Sequence, residues 1–238
     1  MNKTRFLHYP VSNGTRSEFI QEILTMSQEN KVHLITVMNT NKMYLYDRNP
    51  LCAKSVNEST LILPENAINI GMILLGTPLK EWDVGGVIIS KKLLAQEHLR
   101  IFLLGAKNST LNLISTNKDF NNIVGMHHGY FKKREIPQIV DLINNSCADI
   151  LILGLGSPKQ EEIMQEIRTL LKKCVILGAG GTIDVLSGVK KHAPRWTRYG
   201  LEWIYYAVQD PRKFYRYLII NTYFVCQLFK YLLFGKRK

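Results

Sequence analysis

Residues 149–162 carry the sequence DILILGLGSPKQEE, which decides the fold of this chain. The apolar, mostly branched residues at its start predict a buried parallel strand, and a Gly-Leu-Gly turn follows them. Ser157 as N-cap, Pro158 at the first helical position and Gln160 in a capping box predict a helix directly after the turn.

The junction between this strand and this helix is suited to hold an anion. Gly156 and the helix start are expected to direct backbone N–H groups and the positive end of the helix dipole out of the carboxyl edge of a sheet. Lys159 adds a full positive charge. The junction therefore predicts a site for a phosphorylated ligand such as a diphosphate.

Short apolar runs alternate with helical stretches through most of the chain, which predicts an α/β fold with a parallel sheet covered by helices on both faces. With 238 residues, 46% of them hydrophobic, the chain is long enough to bury one full core and carry an appendage. The predicted strands are 32–37, 60–63, 84–89, 100–104, 122–126, 149–153 and 174–177, and the predicted helices are 16–27, 42–55, 91–97, 109–116, 136–146, 158–171 and 201–208.

Positive charge is concentrated at the C-terminus. The chain has a net charge of +12, and residues 190–238 hold eleven Lys and Arg against two acidic residues, together with 13 of the 23 aromatic residues. A basic, aromatic-rich segment on a nearly neutral body predicts contact with an anionic membrane surface or another polyanion. We therefore expect a catalytic domain at residues 1–189 and an appendage at residues 190–238.

The appendage contains an uncharged run, residues 217–229, which polar residues interrupt. Because a spanning helix needs about 20 predominantly apolar residues, this run is short and polar for a transmembrane segment. At 100° per residue Arg212, Arg216 and Lys230 fall on nearly one face, which favours a helix lying in the membrane interface. The alternative is a terminal helix that packs on the core.

Several classes of site lose support from the composition. The four cysteines form no CxxC pair, which indicates reduced thiols of a cytosolic protein, and no secretory signal is expected from the first thirty residues. The sequence contains no D-x-D motif and no cluster of carboxylates and histidines, so no divalent-metal site is expected. The charge of a departing diphosphate would instead be neutralised by backbone N–H groups and by arginines of the tail: Arg195, Arg198, Arg212 and Arg216.

Other strand ends carry candidate ligand-binding residues. In VILGAGGTIDVLSG, residues 175–188, Gly180 allows close backbone approach, Thr182 is a candidate helix cap, and Asp184 is either a nucleotide contact or a first-turn helix acid. In NIVGMHHGYF, residues 122–131, one histidine could touch a phosphate and Tyr130 could stack on a base. The alternative for these histidines is a structural or surface role.

A carboxylate follows another predicted strand, in LILPENAINIG at residues 61–71. Glu65 is placed there as a general base with a pKa raised by partial burial, or as an acid at a helix start. Asn39, after the first predicted sheet strand, offers an amide to a sugar or forms a turn.

Taken in order, these motifs resemble the WecG/TagA/CpsF glycosyltransferases, glycosyltransferase family 26. The matching segments are LILPEN, IFLLGAKNS, IVGMHHGYF, ADILILGLGSPKQEE, GAGGTIDVLSGVKKHAPRW and GLEWIYYAVQDPRKFYRY, within about residues 9 to 220. The resemblance implies a Rossmann-like fold with a C-terminal membrane-associating appendage. It also implies inverting, metal-independent transfer of a sugar from a UDP-sugar to a polyprenol-diphosphate-linked sugar.

The resemblance implies a cellular setting as well. Members act at the inner face of the bacterial plasma membrane in teichoic acid, common antigen, capsule or exopolysaccharide assembly, typically with N-acetylmannosamine or its uronic acid as donor sugar. The expected location is therefore cytoplasmic and peripheral to that membrane. The sequence has no helix-turn-helix, zinc or RNA-binding signature, so no nucleic-acid partner is expected. Whether the protein forms a homo-oligomer stays an open question at this point.

Individual roles also follow from the resemblance. It makes Asp184 a partner of the uracil or ribose, and it places His128, Tyr130 and Gln160 around the UDP-sugar. It places Asn39 near the donor sugar. Glu65 would take the proton from the acceptor hydroxyl.

The chain departs from the family pattern at two places. Glu65-Asn66 stands where the family usually has Asp-Gly, and Asp83 stands where the family tends to have an arginine. A misplacement of about 1 Å can cost about 10²-fold in rate, so the first change bears on catalysis. These departures predict a divergent donor or acceptor sugar, with a catalytically weak homologue that binds UDP-sugar or lipid-linked intermediates as the alternative.

Overall fold

The computed structural model describes residues 3–77, 79–82, 84–117, 120–194, 197 and 202–235. In chain order its elements are β1 (Lys3–Phe6), β2 (Tyr9–Ser12), α1 (Arg16–Gln28), β3 (Val32–Met38), α2 (Thr40–Tyr46), α3 (Pro50–Glu58), β4 (Leu61–Pro64), α4 (Asn66–Leu74), α5 (Gly86–Leu94), β5 (Ile101–Gly105), α6 (Asn108–Ser115), β6 (Ile123–His127), α7 (Ile136–Asn145), β7 (Ile150–Gly154), α8 (Lys159–Ile167), β8 (Cys174–Gly178), α9 (Thr182–Leu186), α10 (Glu202–Gln209) and α11 (Phe214–Phe234).

The described residues form a six-stranded sheet in the order β4-β3-β8-β7-β5-β6, and every pairing in it is parallel. Both faces of the central strand β7 are buried. Ile150 and Ile152 join one core cluster, with α1, α5, α6 and α9, whereas Leu151 and Leu153 join a second cluster with α7 and α8. This two-sided burial explains the continuous apolar run of β7 and confirms the Rossmann-like α/β fold.

A third core cluster joins the N-terminal hairpin to the C-terminal helix. Strands β1 and β2 form a separate antiparallel pair, and their residue Phe6 packs with Phe224 of α11. Gly71 of α4 lies against both rings, because a Cβ at this position would come within 2.3 Å of Phe6 and 3.3 Å of Phe224. The hairpin, α4 and α11 therefore pack as one unit beside the edge strand β4.

The predicted strand at residues 84–89 is wrong, because these residues lead into helix α5. Short apolar runs fit a strand or a buried helix equally well, and here Ile89 and Leu93 lie four residues apart on the buried face of a helix. Gly86 allows the helix to begin against the sheet, since a Cβ there would lie 2.9 Å from Val37. Of the predicted helix 91–97, residues 91–94 form the second half of α5, and residues 95–97 lie beyond its end.

Three further differences concern helix boundaries and the N-terminus. The predicted helix 42–55 is two helices, because Asn49 caps α3 through the backbone N–H of Cys52 and Pro50 begins it. The hairpin β1–β2 was not predicted from the sequence, and helix α4 was foreseen only through the alternative of Glu65 as an acid at a helix start; Glu65 is the N-cap of α4 but makes no side-chain cap hydrogen bond. All four cysteines are free thiols.

Candidate active site

The candidate residues follow the carboxyl ends of five sheet strands, at one edge of the sheet. They are Asn39 after β3, Glu65 after β4, His128 and Tyr130 after β6, Gly156, Lys159 and Gln160 after β7, and Gly180 and Asp184 after β8. Parallel strands bring their carboxyl ends to one edge, which is where ligands bind in open α/β sheets.

Asn39 and Glu65 are joined by a hydrogen bond at the β3–β4 end of this edge. Asn39 is the N-cap of α2, and its Oδ1 accepts a hydrogen bond from the backbone N–H of Lys42 at 2.9 Å. Its Nδ2 donates to the Oε2 atom of Glu65 at 3.0 Å. Because the cap fixes the amide, the amide in turn orients the carboxylate.

The carboxyl group of Glu65 is poised to exchange protons near neutrality. Burial raises the pKa of Glu65 to about 7, and the negative charge of Glu202 on α10 acts in the same direction. The hydrogen bond from Asn39 and the nearby His192 and Lys42 oppose this rise in the pKa. A pKa close to the working pH is what a general base requires.

Helix α5 begins beside this carboxyl group. A Cβ on Gly85, the N-cap of α5, would lie 3.1 Å from Cγ of Glu65 and 3.5 Å from its Oε1. A glycine at this position therefore leaves the room that the longer Glu side chain occupies. Asp83, the second departure from the family pattern, lies outside the described residues.

Gln160 joins the strand ends of β7 and β8. Its side chain is 2% exposed, and its Oε1 accepts a hydrogen bond from the backbone N–H of Gly180 at 2.9 Å. Gly156 and Gly180 have φ of +73° and +53°, a region that favours glycine, and a Cβ at either would meet nothing within 4 Å. Both glycine turns are therefore open on their outer side and fixed to each other.

The predicted capping at two of these turns is wrong. Helix α8 begins at Lys159 without a side-chain cap, because the hydroxyl of Ser157 donates to Glu161 at 3.1 Å instead. Gln160 turns to Gly180 and does not complete a capping box. Thr182 does not cap α9 either, since its hydroxyl donates to the backbone carbonyl of Ala179 at 2.7 Å.

A buried ion pair beneath the site was missed by the sequence analysis. Lys42 and Glu161 are 3% and 0% exposed and form an ion pair, and Lys42 Nζ also donates to the hydroxyl of Ser157 at 2.9 Å. Burial lowers the pKa of Lys42 to about 8, which still leaves the ammonium charged at neutral pH. From the sequence, both residues would be expected to be solvent-exposed charges in the first turns of helices. No local sequence feature indicates that they form a pair.

Lys159 connects the β7 junction to the turn after β6. Its Nζ donates to the backbone carbonyl of Gly129 at 2.8 Å and lies 4.7 Å from the ring centroid of Phe131. In the same turn Nδ1 of His128 accepts a hydrogen bond from the backbone N–H of Tyr130 at 3.2 Å. The Tyr130 side chain is 70% exposed, so its ring is available for stacking.

Asp184 lies in the short helix α9 and is partly exposed. It forms an ion pair with Lys190, which lies shortly after the end of α9. A ligand hydroxyl or base would therefore meet a carboxylate that already has one cationic neighbour.

The tail arginines are placed unequally. Arg216 donates to Oδ1 of Asn41 at 3.0 Å, two residues after Asn39. Arg212 is exposed in the 3-10 turn Pro211–Lys213, and no hydrogen bond or ion pair in the described part of the chain joins it to other candidate residues. Arg195 and Arg198 lie outside the described residues.

Helix α11 packs on the body by one face and is exposed on the other. Ile220, Phe224 and Leu228 are buried, and Tyr223 donates a hydrogen bond to Asp47 at the end of α2. Among the described residues, one helical segment, Pro211–Phe234, is long enough and apolar enough to cross a membrane, judged by length and composition. The helix is thus longer than the uncharged run 217–229 suggested.

No group of three or more His, Cys, Asp and Glu among the described residues could hold a metal ion. Three basic side chains lie at or beside the candidate residues: Lys190 pairs with Asp184, Lys159 contacts Gly129, and Arg216 contacts Asn41.

The fold and the residues at its carboxyl edge define a Rossmann-like α/β protein with a candidate nucleotide side and a candidate carboxylate base. The sequence model of the Glycosyl transferase WecG/TagA/CpsF family matches residues 4–238, nearly the whole chain. The chain therefore belongs to this family of glycosyltransferases, which act in cell-surface polysaccharide synthesis. The resemblance found in the sequence motifs is confirmed.

Proposed function

We propose that this protein transfers a sugar from a UDP-sugar to a polyprenol-diphosphate-linked sugar, with inversion at the anomeric carbon. The observation that carries the proposal is the Asn39–Glu65 hydrogen bond, which holds a carboxyl group with a pKa of about 7 at the carboxyl edge of the sheet. The donor sugar is N-acetylmannosamine, its uronic acid or a related hexose, as in the family to which the chain belongs.

In the proposed reaction Glu65 acts as general base. Its carboxylate takes the proton of the acceptor hydroxyl while the hydroxyl oxygen attacks the anomeric carbon of the donor. The bond from that carbon to the diphosphate oxygen breaks as the new bond forms, and UDP leaves with the electron pair. A single displacement from the face opposite to UDP inverts the configuration.

The nucleotide side is assigned to the two glycine turns that Gln160 joins. The open turns at Gly156 and Gly180 support close approach of a diphosphate to the backbone. Asp184 would bind the ribose or uracil, and Tyr130 would stack on the base. His128, which orients the turn that carries Tyr130, completes this side of the proposed site.

We propose that backbone N–H groups and basic side chains neutralise the diphosphate, so that no metal is needed. Lys159 supports this role because it reaches from the β7 junction to the turn after β6. Arg216 supports it because it contacts Asn41 near the proposed base, and Arg195, Arg198 and Arg212 complete the proposed set. Transfer is therefore expected to persist in the presence of EDTA.

The acceptor is lipid-linked, so the proposal places the protein at the inner face of the bacterial plasma membrane. Support comes from helix α11, whose outer face is apolar and exposed and whose segment is rich in basic residues. Residues 1–189 then carry the proposed base and nucleotide side, and residues 190–238 supply membrane contact and the arginines proposed for the diphosphate.

Two measurements on the same proteins test the proposal. The first is a thermal-shift screen of UDP and UDP-sugars, in which a ligand at 100-fold over its Kd adds about 2.7 kcal/mol of stability. Gln160→Ala should weaken UDP binding by up to about tenfold, the effect of one lost hydrogen bond. An unchanged UDP affinity in Gln160→Ala would contradict the assigned nucleotide side.

The second measurement is transfer to a polyprenol-diphosphate-linked sugar. Glu65→Ala should lower the rate by about 10²- to 10⁴-fold, as expected for loss of a general base, and leave UDP binding unchanged. Glu97→Gln, at an exposed position, is the matched control. UDP-sugar binding without transfer in the wild-type protein would favour the catalytically weak homologue.

A further inference from the structure

A groove lies between the N-terminal hairpin and the end of α11, away from the carboxyl edge of the sheet. Its volume is about 410 Å³. The hairpin side contributes Arg5, Leu7 and His8, and the helix side contributes Gln227, Lys230, Tyr231, Phe234 and Gly235. The groove thus joins the first element of the chain to the last.

The groove carries two basic side chains that have no acidic partner. None of its lining residues is acidic, and within the described part of the chain neither the Arg5 guanidinium nor the Lys230 ammonium has a hydrogen bond or ion pair. At the rim, Nε2 of His8 donates a hydrogen bond to Oδ1 of Asp47 at 2.8 Å, so this ring already has an acidic partner. Unpaired cations beside Gln227 and Tyr231, which add neutral donors, form a suitable environment for a phosphate group.

The groove continues into an apolar surface. The outer face of the same half of α11 carries four exposed hydrophobic side chains, between 43% and 69% exposed: Val225, Phe229, Leu232 and Leu233. Phe234, which lines the groove, is 75% exposed beside them. A contiguous apolar surface of this kind marks an interaction site. In the sequence, Lys236, Arg237 and Lys238 follow directly and add three positive charges.

We propose that this groove binds the phosphate of an anionic membrane phospholipid, with the acyl chains against the exposed face of α11. Arg5 and Lys230 contact the phosphate, and Phe234 stands between the phosphate and the apolar face. The inference rests on the proposed membrane location and adds to it a defined lipid site that includes the hairpin. A free anion would use the cations but leave the apolar face uncovered, so the lipid accounts for both features.

The test is sedimentation of the full-length protein with vesicles. Wild-type protein should bind vesicles of phosphatidylglycerol and phosphatidylcholine more tightly than vesicles of phosphatidylcholine alone. It should also bind them more tightly than oleate–phosphatidylcholine vesicles of equal surface charge, which offer no phosphate diester beyond that of phosphatidylcholine. Arg5→Ala/Lys230→Ala should weaken binding to the phosphatidylglycerol vesicles by about thirtyfold, the effect of two cations at an anionic lipid surface.

The control is Lys91→Ala/Lys92→Ala, which removes the same charge from two exposed positions on α5. It should change vesicle binding by less than about twofold, since charges beyond a Debye length from the lipid are screened. Equal losses in both double variants, or equal binding to oleate and phosphatidylglycerol vesicles, would overturn the lipid site. Stabilisation by inorganic phosphate without vesicle binding would overturn it too, as would a dimer that only Arg5→Ala/Lys230→Ala abolishes.

The readouts separate this inference from the proposed enzyme activity. Arg5 and Lys230 lie outside the candidate active site, so UDP binding and transfer to a short-chain, water-soluble acceptor should be unchanged in their double variant. Loss of vesicle binding with these activities intact supports the lipid site. Normal vesicle binding by a wild-type protein that transfers no sugar would support the lipid site and contradict the proposed enzyme activity.

Discussion

Asn39 donates a hydrogen bond from Nδ2 to Oε2 of Glu65 at 3.0 Å while its Oδ1 caps helix α2. The two bonds use both ends of one amide, so the position of the carboxylate depends on the start of a helix. The hydrogen bond also favours the ionised carboxylate and opposes the rise in pKa that burial causes.

Asn39→Ala should therefore raise the pKa of Glu65 further and move the acid limb of the rate profile to higher pH. Loss of the N-cap should also cost about 1 kcal/mol of stability. The measurement is transfer rate against pH, together with urea unfolding. Asn49→Ala, which removes the equivalent cap of α3, is the control: it should lower stability and leave the rate profile in place.

The pH dependence of the wild-type protein follows from Glu65 itself. A general base must be ionised, so transfer should rise with pH through about 7 and level off above it. Glu65→Asp should keep the sigmoidal profile at a lower plateau. A rate that is flat across this pH range would remove Glu65 as the base.

The raised pKa of Glu65 also affects stability, which should fall with rising pH where the transfer rate rises. The pKa of Glu65 is raised from 4.5 to about 7 on folding, so the folded protein binds more protons than the unfolded chain between these values. Stability from this group is complete below 4.5 and is lost as the pH rises through 7. In urea unfolding, Glu65→Gln should lose less stability than wild type over this interval, and parallel curves would contradict the assignment.

The sequence predicted which strand ends carry the candidate residues because that information is local. Gly156, Gly180 and Glu65 each follow an apolar run, and parallel strands bring their ends to one edge. The hairpin escaped prediction because its two-residue turn is Leu7-His8, and Leu7 has a φ of +56°. Such turns are recognised by Asn-Gly or Asp-Gly, and this one has neither.

Long-range pairing explains what else was missed. Lys42 and Glu161 are 119 residues apart in sequence, and they meet as a buried pair only in the assembled fold. The helix α5 differs from its predicted strand for a related reason, since the contact of Gly86 with Val37 exists only in the assembled fold. Periodicity in a short apolar run does not contain that contact.

The buried pair of Lys42 and Glu161 should be costly to break singly and cheap to replace jointly. Lys42→Met leaves a buried carboxylate without its partner, for which the expected loss of stability is about 3–5 kcal/mol. Lys42→Met/Glu161→Leu should recover most of this loss. Urea unfolding of the single and double variants measures both values.

The exposed ion pair of Lys80 and Glu18 provides the control for that experiment. Its side chains are 52% and 45% exposed, so Lys80→Met should lower stability far less than Lys42→Met. A double variant at Lys42 and Glu161 that is less stable than Lys42→Met would contradict the buried-pair interpretation.

The docking of α11 on the body depends on Asp47, which accepts hydrogen bonds from both Tyr9 of the hairpin and Tyr223 of α11. Tyr223→Phe removes one donor and should lower stability by about 1 kcal/mol, or about 2–4 °C in Tm for a chain of this length. Tyr215→Phe, at a side chain that is 77% exposed, should leave the Tm unchanged.

Because the hydrogen bonds hold the pKa of Asp47 below its ordinary value, their contribution to stability is present at neutral pH and is lost as the pH falls through that lowered pKa. Thermal unfolding of wild type and Tyr223→Phe at neutral and acidic pH should therefore show a difference that shrinks on acidification, and a constant difference would mean that Tyr223 stabilises the helix through packing alone.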